Sequence, residues 1–211
     1  SALVAGSLRA QNAAQEAIAI NDFVNEILST ARPEQGGSGA LVLDAIQDSM
    51  DQLDERFADQ PRVAVGVREM IGDILLSHGE CRKATIVLER AYELAGREFG
   101  VDAPRTLEIG FRLLTARAAD DTAEQIEQLS DELLPRFVDV FGRDDARTIE
   151  VERSRAVLSI RRGSPADAAE HIRATLERAI RVLGPEHRVT IRTHGNLAMA
   201  LMMTEDPAAI E

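Results

Sequence analysis

Apolar residues along this chain fall into long helical stretches, broken at regular intervals by short polar phrases that carry glycine. The most regular break reads FGVDAPRTL at 99–107, FGRDDARTI at 141–149 and LGPEHRVTI at 183–191, with 42 residues between copies and no gap. A looser relative, FADQPRVAV, starts at Phe57, again 42 residues upstream. Gly100, Gly142 and Gly184 each follow a helical pattern and are expected to end it in the left-handed conformation. Asp102 and Asp144 are expected to cap the next helix, with Glu186 as a weaker substitute. Pro104 suits a helix start, and Pro185 blocks continuation of the helix before it. A second, weaker break lies between the phrases: SHGE at 77–80, AADD at 118–121 and RRGSP at 161–165. Each 42-residue unit therefore holds two helices and two turns. The predicted helices are 5–31, 40–58, 62–77, 81–98, 104–118, 122–140, 146–161, 165–182 and 187–203.

One such pair cannot bury its apolar face alone, but stacked pairs share a continuous core. The expected fold is an all-α, right-handed solenoid of helix pairs, with units at about 59–100, 101–142, 143–184 and an incomplete 185–211. Residues 1–58 form a separate helical adaptor containing a Gly-rich loop.

Composition supports this picture. The chain is 45% apolar but only 3% aromatic, so Ala, Leu, Ile and Val do most of the packing. A formal charge of −12 disfavours nucleic acid, which needs clustered cations. Among the 24 basic residues Lys83 is the one lysine. Cys81 stands alone, which excludes a disulfide framework and a thiolate metal site. No 18-residue apolar run exists, so nothing in the chain spans a membrane. SALVAG at the start reads either as an extraneous lead or as the last turn of a membrane helix.

Candidate chemistry is sparse. GGSG at 36–39 lacks the strand and the Lys-Ser/Thr of a phosphate loop and reads as a connector. His78, His171, His187 and His194 show no zinc-like spacing, and His187 is assigned to its turn. No carboxylate pair stands out as a general acid and base. No cofactor, metal or catalytic residue is expected. Two acidic segments, 44–59 and 121–139, read as solvated faces or as docking surfaces for a basic partner.

The run MIGDILLSHGECRKATIVLERA places Gly72, Leu75, Gly79, Ala84, Leu88 and Ala91 where the tetratricopeptide repeat locks its two helices together. Ala156, Gly163, Ala168 and Ile172 hold the same slots in the third unit, and Leu197, Ala198 and Leu201 in the fourth. The second unit departs from the pattern, with Leu114, Asp121 and Ile126 in place of small residues. The usual tetratricopeptide period is 34 residues. A period of 42 with LGPEHRVTIRTHGNLAMAL resembles the longer variant of kinesin light chains and many bacterial signalling proteins. The N-terminal run QEAIAINDFVNEILSTARPEQGGSGALVLDAIQDSMDQLDERFADQP resembles the segment joining a membrane helix to the repeats in bacterial serine/threonine protein kinases. A similar arrangement occurs in some winged-helix regulators. The resemblance implies an interaction or scaffolding region of a larger signalling protein, tethered to a membrane through an upstream helix. The kinase HRD and DFG motifs are absent from the chain.

In tetratricopeptide arrays the first helix of each pair lines a peptide groove. Carried over, those positions are Glu69 and Asp73; Glu108, Phe111 and Thr115; Glu150, Arg153 and Val157; and Arg192, Asn196 and Met199. The resemblance assigns Asn196 to a bound peptide's backbone. The expected partner is a protein or peptide carrying some Arg or Lys, with a homodimer as a further option. Met199, Met202 and Met203 form a soft apolar strip on a helix that lacks its pair partner. A further repeat or another molecule is expected to cover it.

Overall fold

In a computed structural model, residues 14–23, 25, 46, 50, 52–120 and 123–205 are described. Most of the 1–58 adaptor, including the GGSG connector, lies outside them, as do residues 206–211. All the described residues lie in helices or the turns between them. The chain divides into two compact units, Ser1–Val101 and Asp102–Glu211.

The first unit contains a helical stretch at 14–23, a single turn α1 (Leu53–Arg56), and the pair α2 (Pro61–Ser77) and α3 (Cys81–Phe99). Helix 40–58 was expected as one element; residues 46 and 50 are helical, but Gln52 is a turn residue ahead of α1. The Phe23 ring meets Phe57 edge-on with centroids 6.0 Å apart, and the Arg56 guanidinium lies over both rings. Behind them, Arg68 is buried and donates to the Ala64 carbonyl at 3.2 Å and to Asp54 at 2.8 Å. Burial pulls the Arg68 pKa down, and the Asp54 carboxylate opposes that shift. Asp54 also lies 3.5 Å from Arg90, so one carboxylate ties α1 to both α2 and α3.

The α2–α3 contact bears out the small-residue reading. A Cβ on Gly72 would lie 2.6 Å from Leu88 Cγ, and Leu88 is fully buried. Only a residue without a side chain lets the helices come this close. Leu75, Ala84 and Ala91 fill the rest of the interface.

The second unit holds the pairs α4 (Pro104–Asp120) with α5 (Ala123–Phe141), and α6 (Ala146–Arg161) with α7 (Pro165–Leu183). It ends in α8 (Arg188–Glu205). Leu114 and Ile126, the large residues in small slots, are both fully buried at the α4–α5 pair. Ala156, Ile160, Ala168, Ala169, Ile172 and Ala200 make one cluster across α6, α7 and α8. Ile149, Ala179 and Val189 make another, with Leu183 packed against it.

The two kinds of break are built differently. Within a pair, Glu80 N–H reaches the Leu75 carbonyl at 2.9 Å and Gly79 N–H the Leu76 carbonyl at 3.1 Å. Ser164 and Gly163 bond to Ser159 and Ile160 in the same way. This is the Schellman pattern, with glycine at the positive-φ site. Between pairs, Gly100 has φ 98 and ψ 149, and Gly184 has φ 88 and ψ 161. These are extended mirror-region values that essentially only glycine adopts, rather than the left-handed helical values expected. The chain therefore leaves the helix sharply.

The caps also differ from expectation. Asp145, not Asp144, caps α6, its carboxylate accepting from Arg147 N–H at 2.8 Å. Asp102 does not cap α4: Leu107 N–H bonds to the Ala103 carbonyl, and Asp102 pairs with Arg136 at 3.8 Å. In the third phrase His187 takes the slot of Asp145, its Nδ1 accepting from Val189 N–H at 3.3 Å. Ala103, Asp145 and His187 are thus one recurring site, a residue later than the recurring acid suggested. Three residues on, Thr106, Thr148 and Thr190 are all buried. Thr148 donates to the Gly142 carbonyl at 2.8 Å and fixes the phrase against its own helix.

Candidate peptide groove on the second unit

The groove positions inferred from the first helices can be followed one by one. Glu108 and Phe111 on α4 and Glu150 on α6 line a single cavity of about 440 Å³. Val189, at the start of α8, and Phe137 from α5 complete its apolar lining. The Phe111 and Phe137 rings meet edge-on at 6.5 Å, and Phe137 packs on Phe141 at 5.3 Å. Arg147 closes one side. Its guanidinium sits 3.6 Å from the Phe141 ring centroid and bonds to Asp145 at 2.9 Å and to Glu108 at 3.0 Å. The hydrogen bond to Asp145 is the main cause of a raised Arg147 pKa, and the same bond lowers the Asp145 pKa.

Glu150 is the electrostatic centre of the site. It is 3% exposed, and its Oε1 accepts from Arg153 at 3.0 Å and lies 2.6 Å from Arg192. Its Oε2 is buried and accepts no hydrogen bond from the described residues. Arg153 is itself buried, held between Glu150 and the Ser154 hydroxyl. Glu108, Glu150 and Arg192 occupy one register slot, 42 residues apart. A change of sign in the last copy turns a repeated acid into an ion pair between neighbouring helices.

The other positions diverge. Thr115 donates its hydroxyl to the Phe111 carbonyl of its own helix. Val157 packs against the α6–α7–α8 cluster and belongs to the core. Asn196 is half-buried, and Met199 is exposed. None of these four lines the cavity. Glu69 and Asp73 sit on α2 of the first unit, half-buried and exposed. Sequence reasoning missed Phe137, Arg147 and Val189. The last two stand in the repeated phrase, two residues beyond the cap slot, and that position was the available signal. Phe137 comes from a second helix, which the groove rule does not consider.

Within the acidic segment 121–139, three acids take part in ion pairs on a largely exposed face. Glu127 pairs with Arg162, Asp131 with Arg155 at 2.7 Å, and Glu132 with Arg136 at 3.3 Å. Glu127, Arg155 and Arg162 line a second cavity of about 510 Å³ among α5, α6 and α7. Arg178 and Glu152 form a further ion pair there, and burial together with the nearby Arg143 lowers the Arg178 pKa. Among the described residues, no group of three His, Cys, Asp or Glu is placed to hold a metal ion. No helix among them is long and apolar enough to cross a membrane.

No protein-family model matches the chain, and no curated protein matches it. Solved structures do. A Podosopora anserina protein of nearly identical TPR-like repeats, assigned to the kinesin light chains, matches with TM-score 0.58. It is 14% identical, and the match covers 95% of this chain and 88% of that one. A single-substitution form of the same protein gives TM-score 0.59 at 14% identity, covering 95% of this chain and 87% of that one. BtubC (BKLC) from P. vanneervenii matches with TM-score 0.57 at 17% identity, covering 92% of this chain and 85% of that one. At these identities the likeness establishes the fold alone: the chain is an all-α array of tetratricopeptide-like helix pairs.

Proposed function

We propose that the chain is a protein-interaction module that binds a peptide segment of its partner in the groove formed by α4, α6 and α8. The observation that carries this reading is the cavity of about 440 Å³, with an apolar lining and a buried carboxylate at its edge. A large apolar side chain of the partner packs against Phe111, Phe137 and Val189. Polar groups of the partner meet the mixed charges of Glu108, Arg147 and Arg188 on the cavity wall. Glu108, the other acid of the cavity, is already engaged within the chain by Arg147. Affinity therefore comes mainly from the apolar anchor, and charge selects the register.

The place of the module in a larger protein is a further proposal, resting on the sequence resemblance of the N-terminal segment. In that reading it is the sensory or regulatory region of a bacterial membrane-bound serine/threonine kinase. A winged-helix regulator is the competing parent. The reading frame upstream of Ser1 separates the two.

The groove is tested by selecting binding peptides from a random library on the immobilised chain and measuring their affinity by calorimetry. Phe111→Arg fills the cavity and is expected to weaken the selected peptides at least about tenfold, equivalent to about 1.4 kcal/mol. Peptides that bind Phe111→Arg as well as the parent chain would move the site elsewhere.

A further inference from the structure

The second cavity, among α5, α6 and α7, breaks the repeat pattern. Three slots of the unit hold Ile71, Val87 and Ala91 in the first copy and Leu113, Leu129 and Leu133 in the second, and all six are buried. In the third copy the same slots hold Arg155, His171 and Thr175. The fourth copy returns to Leu197 in the slot of Arg155. Arg155 and His171 are exposed, and all three residues line the cavity. Where the earlier copies bury apolar side chains, this copy leaves a space of about 510 Å³ with a polar wall.

That wall is cationic. It carries Arg143, Arg155, Arg162 and Arg178 against Glu127 and Glu152, in a chain whose net charge is −12. Glu127 is paired with Arg162 and Glu152 with Arg178. Arg155 holds Asp131 in an exposed pair, a kind that contributes little. Among the described residues, the Arg143 guanidinium and the His171 ring have no hydrogen bond or ion pair. Burial, and then the charge of nearby Arg143, lower the Arg178 pKa. An anion between the two arginines offsets their repulsion. We propose that the cavity binds a small aliphatic polyanion, a phosphate ester or a polycarboxylate, through Arg143, Arg155 and His171. The arginine fork suits both groups, since each offers two oxygens to parallel N–H bonds. Ser159 adds a hydroxyl to the same wall. The volume lies within the range of about 300–1,000 Å³ usual for small-ligand sites. Among the described residues no aromatic side chain lines the cavity, so a nucleobase finds no stacking surface there. Helix α6 turns Ala146 and Glu150 to the peptide groove and Glu152, Arg155 and Ser159 to this cavity. The inference therefore does not depend on peptide binding.

The test is calorimetric titration of the full chain with pyrophosphate and, separately, with citrate, at constant ionic strength. At least one is expected to bind with a dissociation constant below about 1 mM, and the tighter of the two names the class. Arg155→Leu restores the residue of the neighbouring copies. It is expected to keep the circular-dichroism spectrum and to weaken the tighter probe at least about tenfold. Arg143 stands in a turn outside the helices, so Arg143→Ser leaves helix packing alone. That variant is expected to weaken the same probe at least about threefold. Arg173 is exposed on α7 and off the cavity wall, and Arg173→Ser is expected to change affinity by less than about twofold. Dissociation constants above about 1 mM for both probes would overturn the proposal. So would full affinity in both Arg143→Ser and Arg155→Leu, or an equal loss in Arg173→Ser, which marks general charge attraction.

Discussion

Helices α6 and α8 lie 42 residues apart and carry nearly the same apolar stripe, yet one is buried and the other is bare. Ile149 and Ile191 are the same residue in the same slot, at 0% and 58% exposure. Ala156 and Ala198 match, and Ile160 is replaced by Met202. The difference lies in the neighbours: among the described residues, α6 has helices on both sides, and α8 has them on one. A repeat pattern therefore encodes a surface ready for a helix, and the burial itself depends on what arrives.

The sharpest way to break this comparison is to put a charge into the stripe. Ala156→Glu buries a carboxylate without a partner and is expected to cost more than about 3 kcal/mol. The same change at Ala198 is expected to stay within about 0.5 kcal/mol. Urea unfolding of both variants measures the gap, and equal losses would mean that α8 is covered in solution. A truncation repeats the test more gently. Ile149→Ala should lose about 2–4 kcal/mol through its cavity, and Ile191→Ala within about 0.5 kcal/mol.

The polar slot shared by Glu150 and Arg192 gives a smaller effect. Arg192→Glu sets two carboxylates together and leaves buried Glu150 with Arg153 alone. The expected loss is about 1–3 kcal/mol, recovered in part by adding Glu150→Gln. Additive losses in the double variant would show that the pair is not coupled.

The helix starts give the smallest contrast. Asp145→Ala removes the α6 cap and its bond to Arg147, and should cost about 1 kcal/mol. The Asp145 carboxyl titrates lower in the folded chain than unfolded, because Arg147 bonds to it. Its contribution is therefore complete above the ordinary carboxylate pKa of about 3.9 and fades as pH falls through the lower folded value. The melting-temperature difference between the parent chain and Asp145→Ala should shrink between pH 6 and about pH 3. A constant difference would assign the effect to the neutral cap.

Much of the fold was legible. Predicted helices from residue 62 onward end within about two residues of the observed ones, because glycine phrases and Schellman turns are local devices. Errors inside those phrases were also local. The cap fell one residue late, at Asp145 rather than Asp144, since two adjacent aspartates give no basis for choosing between them. Of the positions carried over to the second unit, Glu108, Phe111 and Glu150 line one cavity, while Thr115, Arg153, Val157, Arg192, Asn196 and Met199 do not.

The sequence by itself determined the period, the helix pairs and the requirement for glycine at Gly72 and at each phrase. These depend on contacts within a turn or between helices adjacent along the chain. Only the tertiary structure decided that Glu150 would be a buried, ion-paired carboxylate, that Phe137 would line the groove, and that Glu127 and Asp131 of α5 would pair with Arg162 and Arg155. Those outcomes depend on distances between residues dozens of positions apart, which packing sets and a repeat pattern does not encode.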